Sequence, residues 1–197
     1  MRERGFVLHN IAYGCLLFTL AGCAGSAGQV KEGPRAWTPE VLFPMAEGNA
    51  WSFDVETGDG DSVLAVTRVI TAVPGVSAIV EVGKEQTAYE MRPEGWYRPA
   101  KGGFLLRMPL TVGARWESGE GLQAELVRRV ERIETTAGPF EDCAEVAEVN
   151  ERSGNRIWTT YCPDVGPVRV VSEMLVRGHT LRVTAVLRGY AVVKPET

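Results

Sequence analysis

The sequence predicts a mainly β protein: a single antiparallel meander that curves into a half-barrel or a sandwich, with at most one or two short helices. Short apolar segments recur along the chain, each bounded by Gly, Pro, Asn or Asp. Near the carboxyl end, alternate positions from Leu181 to Leu187 are apolar and the residues between them are mostly polar, as in a half-buried strand. Strands do not alternate with helical segments, so the pattern disfavours a parallel sheet.

The predicted strands follow one another at short spacing. The first half of the series covers residues 50–56, 62–73, 76–83, 86–92, 95–99 and 103–109. The second half covers residues 114–118, 122–134, 137–149, 155–162, 166–175 and 179–193. Turn-forming pairs such as Asp59-Gly60 and Pro74-Gly75 separate neighbouring segments and favour antiparallel connections.

Two segments allow a helix. Residues 122–134 carry apolar residues at helical spacing, yet Leu122, Ala124 and Leu126 also alternate as in a strand. We predict a strand there because strands precede and follow it. Residues 37–45 predict a short helix, with Thr38 as the N-cap and Pro39 as the first helical residue.

The amino-terminal residues predict export and lipidation. Arg2 and Arg4 precede an apolar run that ends in Leu20-Ala21-Gly22-Cys23, which resembles the lipobox of bacterial lipoproteins. The resemblance implies cleavage before Cys23 and lipid attachment, palmitate included, to its thiol. An ordinary signal peptide cut near Ala24, or an uncleaved anchor, is the alternative. The predicted organisation is a signal peptide over 1–22, a lipidated cysteine with a flexible tether over 23–36, and one β domain over 37–197.

The predicted export and lipidation limit the possible partners. Ala24 stands where an Asp would favour inner-membrane retention, so we expect attachment to the outer membrane, facing the periplasm. The mature chain would carry 19 basic and 24 acidic residues with no block of like charge, which disfavours nucleic acid. The expected partners are the membrane, through the lipid on Cys23, and an envelope protein or an apolar ligand.

Two cysteines remain in the predicted β domain, Cys143 and Cys162. An oxidising compartment allows a disulfide between them, which would contribute about 3 kcal/mol, but their spacing alone leaves open whether they face each other. The chain has no CxxC pair, and His179 is the one histidine after the signal peptide. We therefore expect no metal and no cofactor.

Four stretches follow one another in a recognisable order: "LFPMAEGNAWSFDVE", "LLRMPLTVGARWES", "TAGPFEDCAEVAEV" and "TTYCPDVGPVRVVSE". Together they resemble a family of bacterial lipoproteins and secreted proteins whose biochemical role is largely unassigned. The resemblance covers nearly all of residues 42–190 and implies an antiparallel sheet curved around a hydrophobic interior. Cys162 departs from the family pattern, so the resemblance does not imply the disulfide.

Few residues in the sequence point to a catalytic function. His179 follows Gly178 at a predicted hairpin turn, and no GxSxG motif accompanies it. The acidic residues of "DVETGDGDS" lack the ordered spacing of an EF-hand loop, and Glu141 and Asp142 would point to opposite faces of a strand. We expect a protein that is not an enzyme.

The aromatic residues offer a candidate binding face. If they line the concave side of the curved sheet, they could hold a lipid or another apolar ligand; if they fill the core, they have no further role. The five are Trp96, Tyr97, Phe104, Trp158 and Tyr161. The leading hypothesis is a membrane-anchored envelope lipoprotein with a structural or partner-binding β domain, and the alternative is a carrier with an apolar cavity.

Overall fold

The computed structural model describes residues 36–58, 60–176 and 178–193. The predicted signal peptide, the lipidation site Cys23 and the tether up to residue 35 lie outside the described residues. The described chain contains one short helix and twelve strands, which form one sheet.

The elements follow the predicted segments closely. The helix α1 spans Pro39–Leu42, and the first six strands are β1 Ala50–Glu56, β2 Ser62–Val73, β3 Ser77–Val82, β4 Glu85–Arg92, β5 Gly95–Arg98 and β6 Gly103–Arg107. The last six are β7 Arg115–Gly119, β8 Leu122–Thr135, β9 Gly138–Asn150, β10 Arg156–Cys162, β11 Gly166–Val176 and β12 His179–Ala191. The predicted strand at 122–134 and the predicted short helix are both confirmed.

All neighbouring strands are antiparallel, in the order β6-β5-β4-β3-β2-β1-β12-β11-β10-β9-β8-β7. Two six-stranded meanders are therefore joined by the pairing of β1 with β12, in which Phe53 lies opposite Leu187. The predicted fold class is confirmed: the sheet curves until its two edges, β6 and β7, meet, which produces a nearly closed, barrel-like sheet.

The seam between β6 and β7 is joined without a regular ladder. The Trp116 indole donates to the Phe104 carbonyl at 3.1 Å, and the Glu120 amide donates to the Lys101 carbonyl at 3.1 Å. Gly103 faces Gly119 across the seam so closely that a Cβ on Gly103 would overlap the opposing backbone. Both positions therefore need glycine for the edges to approach.

Successive connections lie at opposite ends of the sheet because it is an up-and-down meander. The upper end carries the short turns after β1, β3, β5, β7, β9 and β11, and the lower end carries α1 and the connection 108–114 between β6 and β7. The Thr38 hydroxyl accepts from the Val41 amide at 3.3 Å and caps α1. Leu42 is fully buried, so this segment fills the lower interior.

Candidate functional site

Large side chains occupy the inside of the sheet. Phe43, which follows α1, lies edge-on against Trp51 with ring centroids 5.2 Å apart and also contacts Tyr161 at 6.1 Å. The Trp51 indole donates to the Val165 carbonyl at 2.6 Å, and the Trp96 indole donates to the Phe43 carbonyl at 3.2 Å. These contacts hold Phe43 and the adjoining helix α1 inside the sheet as part of its core.

A charged cluster lies among these apolar groups at the upper end. Arg98 is the last residue of β5, and its Nη2 donates to Glu148 Oε1 of β9 at 2.7 Å and to the Ser118 carbonyl of β7 at 2.7 Å. The Ser118 hydroxyl accepts from Arg98 and donates to Glu148. The Arg98 and Glu148 side chains are each 7% exposed. The cluster thus links three strands across the seam.

Two tyrosines adjoin this cluster. Burial is the main cause that raises the pKa of Tyr161 far above its ordinary value, and the negative charge of Glu148 acts in the same direction. Burial also raises the pKa of Tyr89, against the opposing effect of the Arg98 guanidinium. Both phenols stay neutral at physiological pH.

The geometry of the cluster fits a structural role in closing the sheet. Ser118 is completely buried, so a substrate could not reach its hydroxyl. Arg98 Nε is also buried and has no hydrogen-bond partner among the described residues. The cluster is therefore a buried ion pair that ties the two sheet edges together.

The five aromatic residues that the sequence grouped as one binding face lie in three places. Trp96 and Tyr161 are buried in the core. Tyr97 and Phe104 form an edge-on pair with centroids 5.2 Å apart, and the Arg92 guanidinium stacks on the Tyr97 ring. Trp158 stands on the opposite face of β10 from Tyr161, since the two are three positions apart in one strand. The structure does not bring the five together.

Cys143 and Cys162 lie opposite each other on β9 and β10 and are joined by a disulfide, with their Cα atoms 4.2 Å apart. Both are buried. The bond links β9 to β10 near the lower end of the sheet.

Trp158 belongs to an open concavity of about 350 Å³ on the outer face of β9 to β12. Glu145 crosses it, paired with Arg128 at 2.8 Å and with Arg169 at 3.4 Å. The hydrogen bond from Arg128 lowers the pKa of Glu145, so that carboxylate stays charged. Arg182 and Glu173, which also line the concavity, pair at 3.5 Å. These charges satisfy one another.

His179 and the described acidic residues near β1 and in β9 do not form one cluster. His179 is exposed at the start of β12 and forms no side-chain hydrogen bond with the described part of the chain. Asp54 pairs with Arg188 at 2.9 Å, and Asp59 lies outside the described residues. Glu141 pairs with Arg132 at 3.1 Å, and Asp142 pairs with Arg129. Across residues 36–58, 60–176 and 178–193, no three His, Cys, Asp or Glu side chains are grouped to hold a metal.

The upper ends of β1, β2, β11 and β12 expose part of the inner face. Val55 is on the same face as the buried Phe53, lies opposite Val63 of β2, and lies opposite Ala185 of β12. Farther up, Leu181 lies opposite Met174 of β11. We call six side chains the apolar patch: Val55, Val63, Met174, Val176, Leu181 and Val183. Three of them are clearly exposed: Val63 at 56%, Val176 at 46% and Leu181 at 37%.

Sequence reasoning missed both the charged cluster and the apolar patch. Alternation along β9 carried a signal for the cluster, because Glu148 shares a face with the buried Ala144 and Val146. No comparable signal marked the patch, since apolar alternation in β12 predicts a buried face. Leu181 belongs to this apolar face but lies beyond the buried core, and it is 37% exposed.

No helix in the described part of the chain is long and apolar enough to cross a bilayer. No family model matches the sequence, and no curated protein matches it.

Two solved structures are similar in fold. One is a protein described as exported, with a YMCC-like fold, from Bacteroides fragilis; it is 17% identical, with a TM-score of 0.49, over 77% of this chain and 99% of that chain. The other is described as a lipoprotein from Parabacteroides distasonis; it is 15% identical, with a TM-score of 0.44, over 77% of this chain and 98% of that chain.

Proposed function

We propose that this protein is a lipid-anchored, non-catalytic protein of the bacterial envelope that binds another protein through the apolar patch. The observation that carries the proposal is the exposure of Val63, Val176 and Leu181 on the sheet face that buries Phe53 and Leu187. Exposed apolar side chains grouped on one face are typical of interaction sites.

The filled interior favours a protein partner over a small apolar ligand. A bound lipid or similar ligand is normally enclosed over most of its surface. Here Trp51, Leu106, Leu126 and Leu187 occupy the interior, each at most 1% exposed, and the patch is open at the upper end. An open apolar surface is best covered by the apolar face of another protein.

The positions of Ser118 and His179 support a non-catalytic role. Ser118 is shielded from solvent inside the sheet, and His179 has no acid or nucleophile bonded to it among the described residues. A hydrolase of the Ser-His type needs these groups within hydrogen-bond reach of each other.

The anchor is proposed on the lipobox that ends in Cys23, with attachment to the outer membrane on its periplasmic side. Replacement Cys23→Ser removes the thiol that accepts the lipid. The variant should move from the membrane fraction to the soluble fraction and should lose label from a radioactive fatty acid. Membrane association without such label in the wild-type protein would contradict the anchor.

The partner surface is tested with a photo-crosslinking residue at Leu181 and, as a matched control, at Thr180, which is exposed on the opposite face of the same strand. We expect a discrete protein adduct from position 181 in living cells and not from position 180. The substitution Val63→Asp on β2 should abolish that adduct. Equal adducts from both positions, or an adduct to phospholipid alone, would refute a protein partner at the patch.

A further inference from the structure

An apolar groove lies at the lower end, where the described chain begins. Ala36, the first described residue, lines this groove of about 400 Å³ together with Trp37 and the connection between β6 and β7. The connection supplies Met108, Pro109, Leu110, Thr111 and Val112. The groove is thus placed beside the segment that leads back to the predicted anchor.

The outer rim of the groove exposes apolar side chains to solvent. Met108 is 42% exposed and Val112 is 59% exposed, whereas Leu110 between them is buried and holds the connection against the sheet. The Gly113 amide donates to the Leu126 carbonyl at 2.8 Å, which ties the end of the connection to β8. The two exposed side chains are therefore presented on a backbone that is fixed to the sheet.

A cation without an ion pair lies beside this rim. Arg107 immediately precedes Met108, stacks over the Phe104 ring at 5.3 Å and forms no ion pair with any described residue. The Arg129 guanidinium covers the Trp37 ring at 4.5 Å but is paired with Asp142, so it adds no free charge to the groove. An apolar protrusion beside an unpaired arginine is suited to the headgroup region of an anionic bilayer, which attracts a cation near its surface.

The covalent chain restricts how far this end can lie from the bilayer. Cys23 is thirteen positions before Ala36, and an extended chain spans at most about 3.5 Å per residue, so the tether reaches at most about 45 Å. Any lipid on Cys23 would hold the groove within that distance of the membrane surface.

We infer that the connection between β6 and β7 is a membrane-contact element: Met108 and Val112 insert into the lipid surface, and Arg107 contacts the headgroups. The inference rests on the proposed lipid anchor and goes beyond it, because it orients the domain. The lower end faces the bilayer, and the apolar patch at the upper end faces away from it.

The test places an environment-sensitive fluorophore on a single introduced cysteine in the full mature, lipidated protein. The variants are Met108→Cys, Val112→Cys and, as a control, Val82→Cys, which replaces a valine of similar exposure at the upper end. The other mature cysteines are unreactive because Cys143 and Cys162 form the disulfide and the lipid occupies Cys23. The protein is reconstituted in vesicles of phosphatidylethanolamine and phosphatidylglycerol that carry a spin-labelled lipid as quencher.

We expect a blue-shifted emission and strong quenching at positions 108 and 112, with neither change at position 82. Quenching at 108 and 112 no greater than at 82 would overturn the inference. A blue shift without lipid quenching, accompanied by a dimer in crosslinking, would also overturn it, because a second copy would then cover the rim.

A second measurement does not depend on the anchor. Unlipidated Cys23→Ser protein should bind the same vesicles weakly, and Val112→Asp in that background should weaken binding about tenfold, as expected for loss of one buried aliphatic side chain. The matched control Val82→Asp should leave binding unchanged, and equal losses in the two variants would contradict the assignment. The mass of the mature wild-type protein reports lipidation separately, so failure of the anchor and failure of the contact element give different results.

Discussion

Replacement of Glu148 by Gln tests the charged cluster directly. The variant keeps the shape of the side chain and removes its charge, which leaves the Arg98 guanidinium buried without a counter-charge. Both side chains are 7% exposed in the wild-type protein, so water cannot replace the lost partner without opening the sheet. The cost of breaking a buried ion pair in this way is about 4 kcal/mol.

For a domain of this size, that loss corresponds to a decrease in Tm of about 12 °C. The free energy of unfolding can be measured from tryptophan fluorescence in urea, and Tm from circular dichroism. The matched control is Glu125→Gln on β8, whose partner Arg115 has a side chain 75% exposed. An ion pair so exposed contributes at most about 1 kcal/mol, so the control should change little.

A double variant separates the charge from the packing. Arg98→Met with Glu148→Leu removes both charges and fills a similar volume, and its stability should lie near that of the wild-type protein. The reasoning is refuted if Glu148→Gln costs no more than Glu125→Gln. It is also refuted if the double variant is less stable than Glu148→Gln alone.

Two further predictions concern the seam and the buried phenol. Gly103→Ala should lower the free energy of unfolding by about 2 kcal/mol, because the new Cβ overlaps the backbone across the seam. The control Gly189→Ala in β12 introduces a Cβ that meets only ordinary contacts. Equal losses for the two variants in urea unfolding would contradict the steric argument. The raised pKa of Tyr161 means that its neutral form contributes stability that is fully present below the unfolded value of about 10 and is lost as pH rises beyond it. Tyr161→Phe should therefore flatten the alkaline loss of stability between about pH 10 and 12, measured by urea unfolding at each pH, and an unchanged slope would count against a buried phenol.

Local patterns were enough to locate most strands. The segments 50–56 and 62–73 coincide with β1 and β2, because alternating apolar residues and turn-forming pairs act within a few positions. The helix cap at Thr38 could be predicted from the sequence for the same reason, because an N-cap side chain bonds within the first turn of its own helix.

Long-range pairings were not readable in the same way. The sequence left open whether Cys143 and Cys162 face each other, because a shift of one residue in the register of β9 and β10 would move one of them to the other face. Likewise, the position of Glu148 among apolar residues indicates a buried carboxylate, but Arg98 is fifty positions away and no local pattern selects it.

The candidate site shows the difference most clearly. By itself, the sequence determined the strand-and-turn alternation and the apolar face of β12, because each depends on neighbours along the chain, and it predicts the lipobox at Cys23 on the same local basis. Only the tertiary structure decided that Leu181 lies beyond the core, that Trp158 and Tyr161 occupy opposite faces, and that the seam closes between β6 and β7. Exposure and closure depend on how far the curved sheet extends past the side chains that fill it, and that is a property of all twelve strands together.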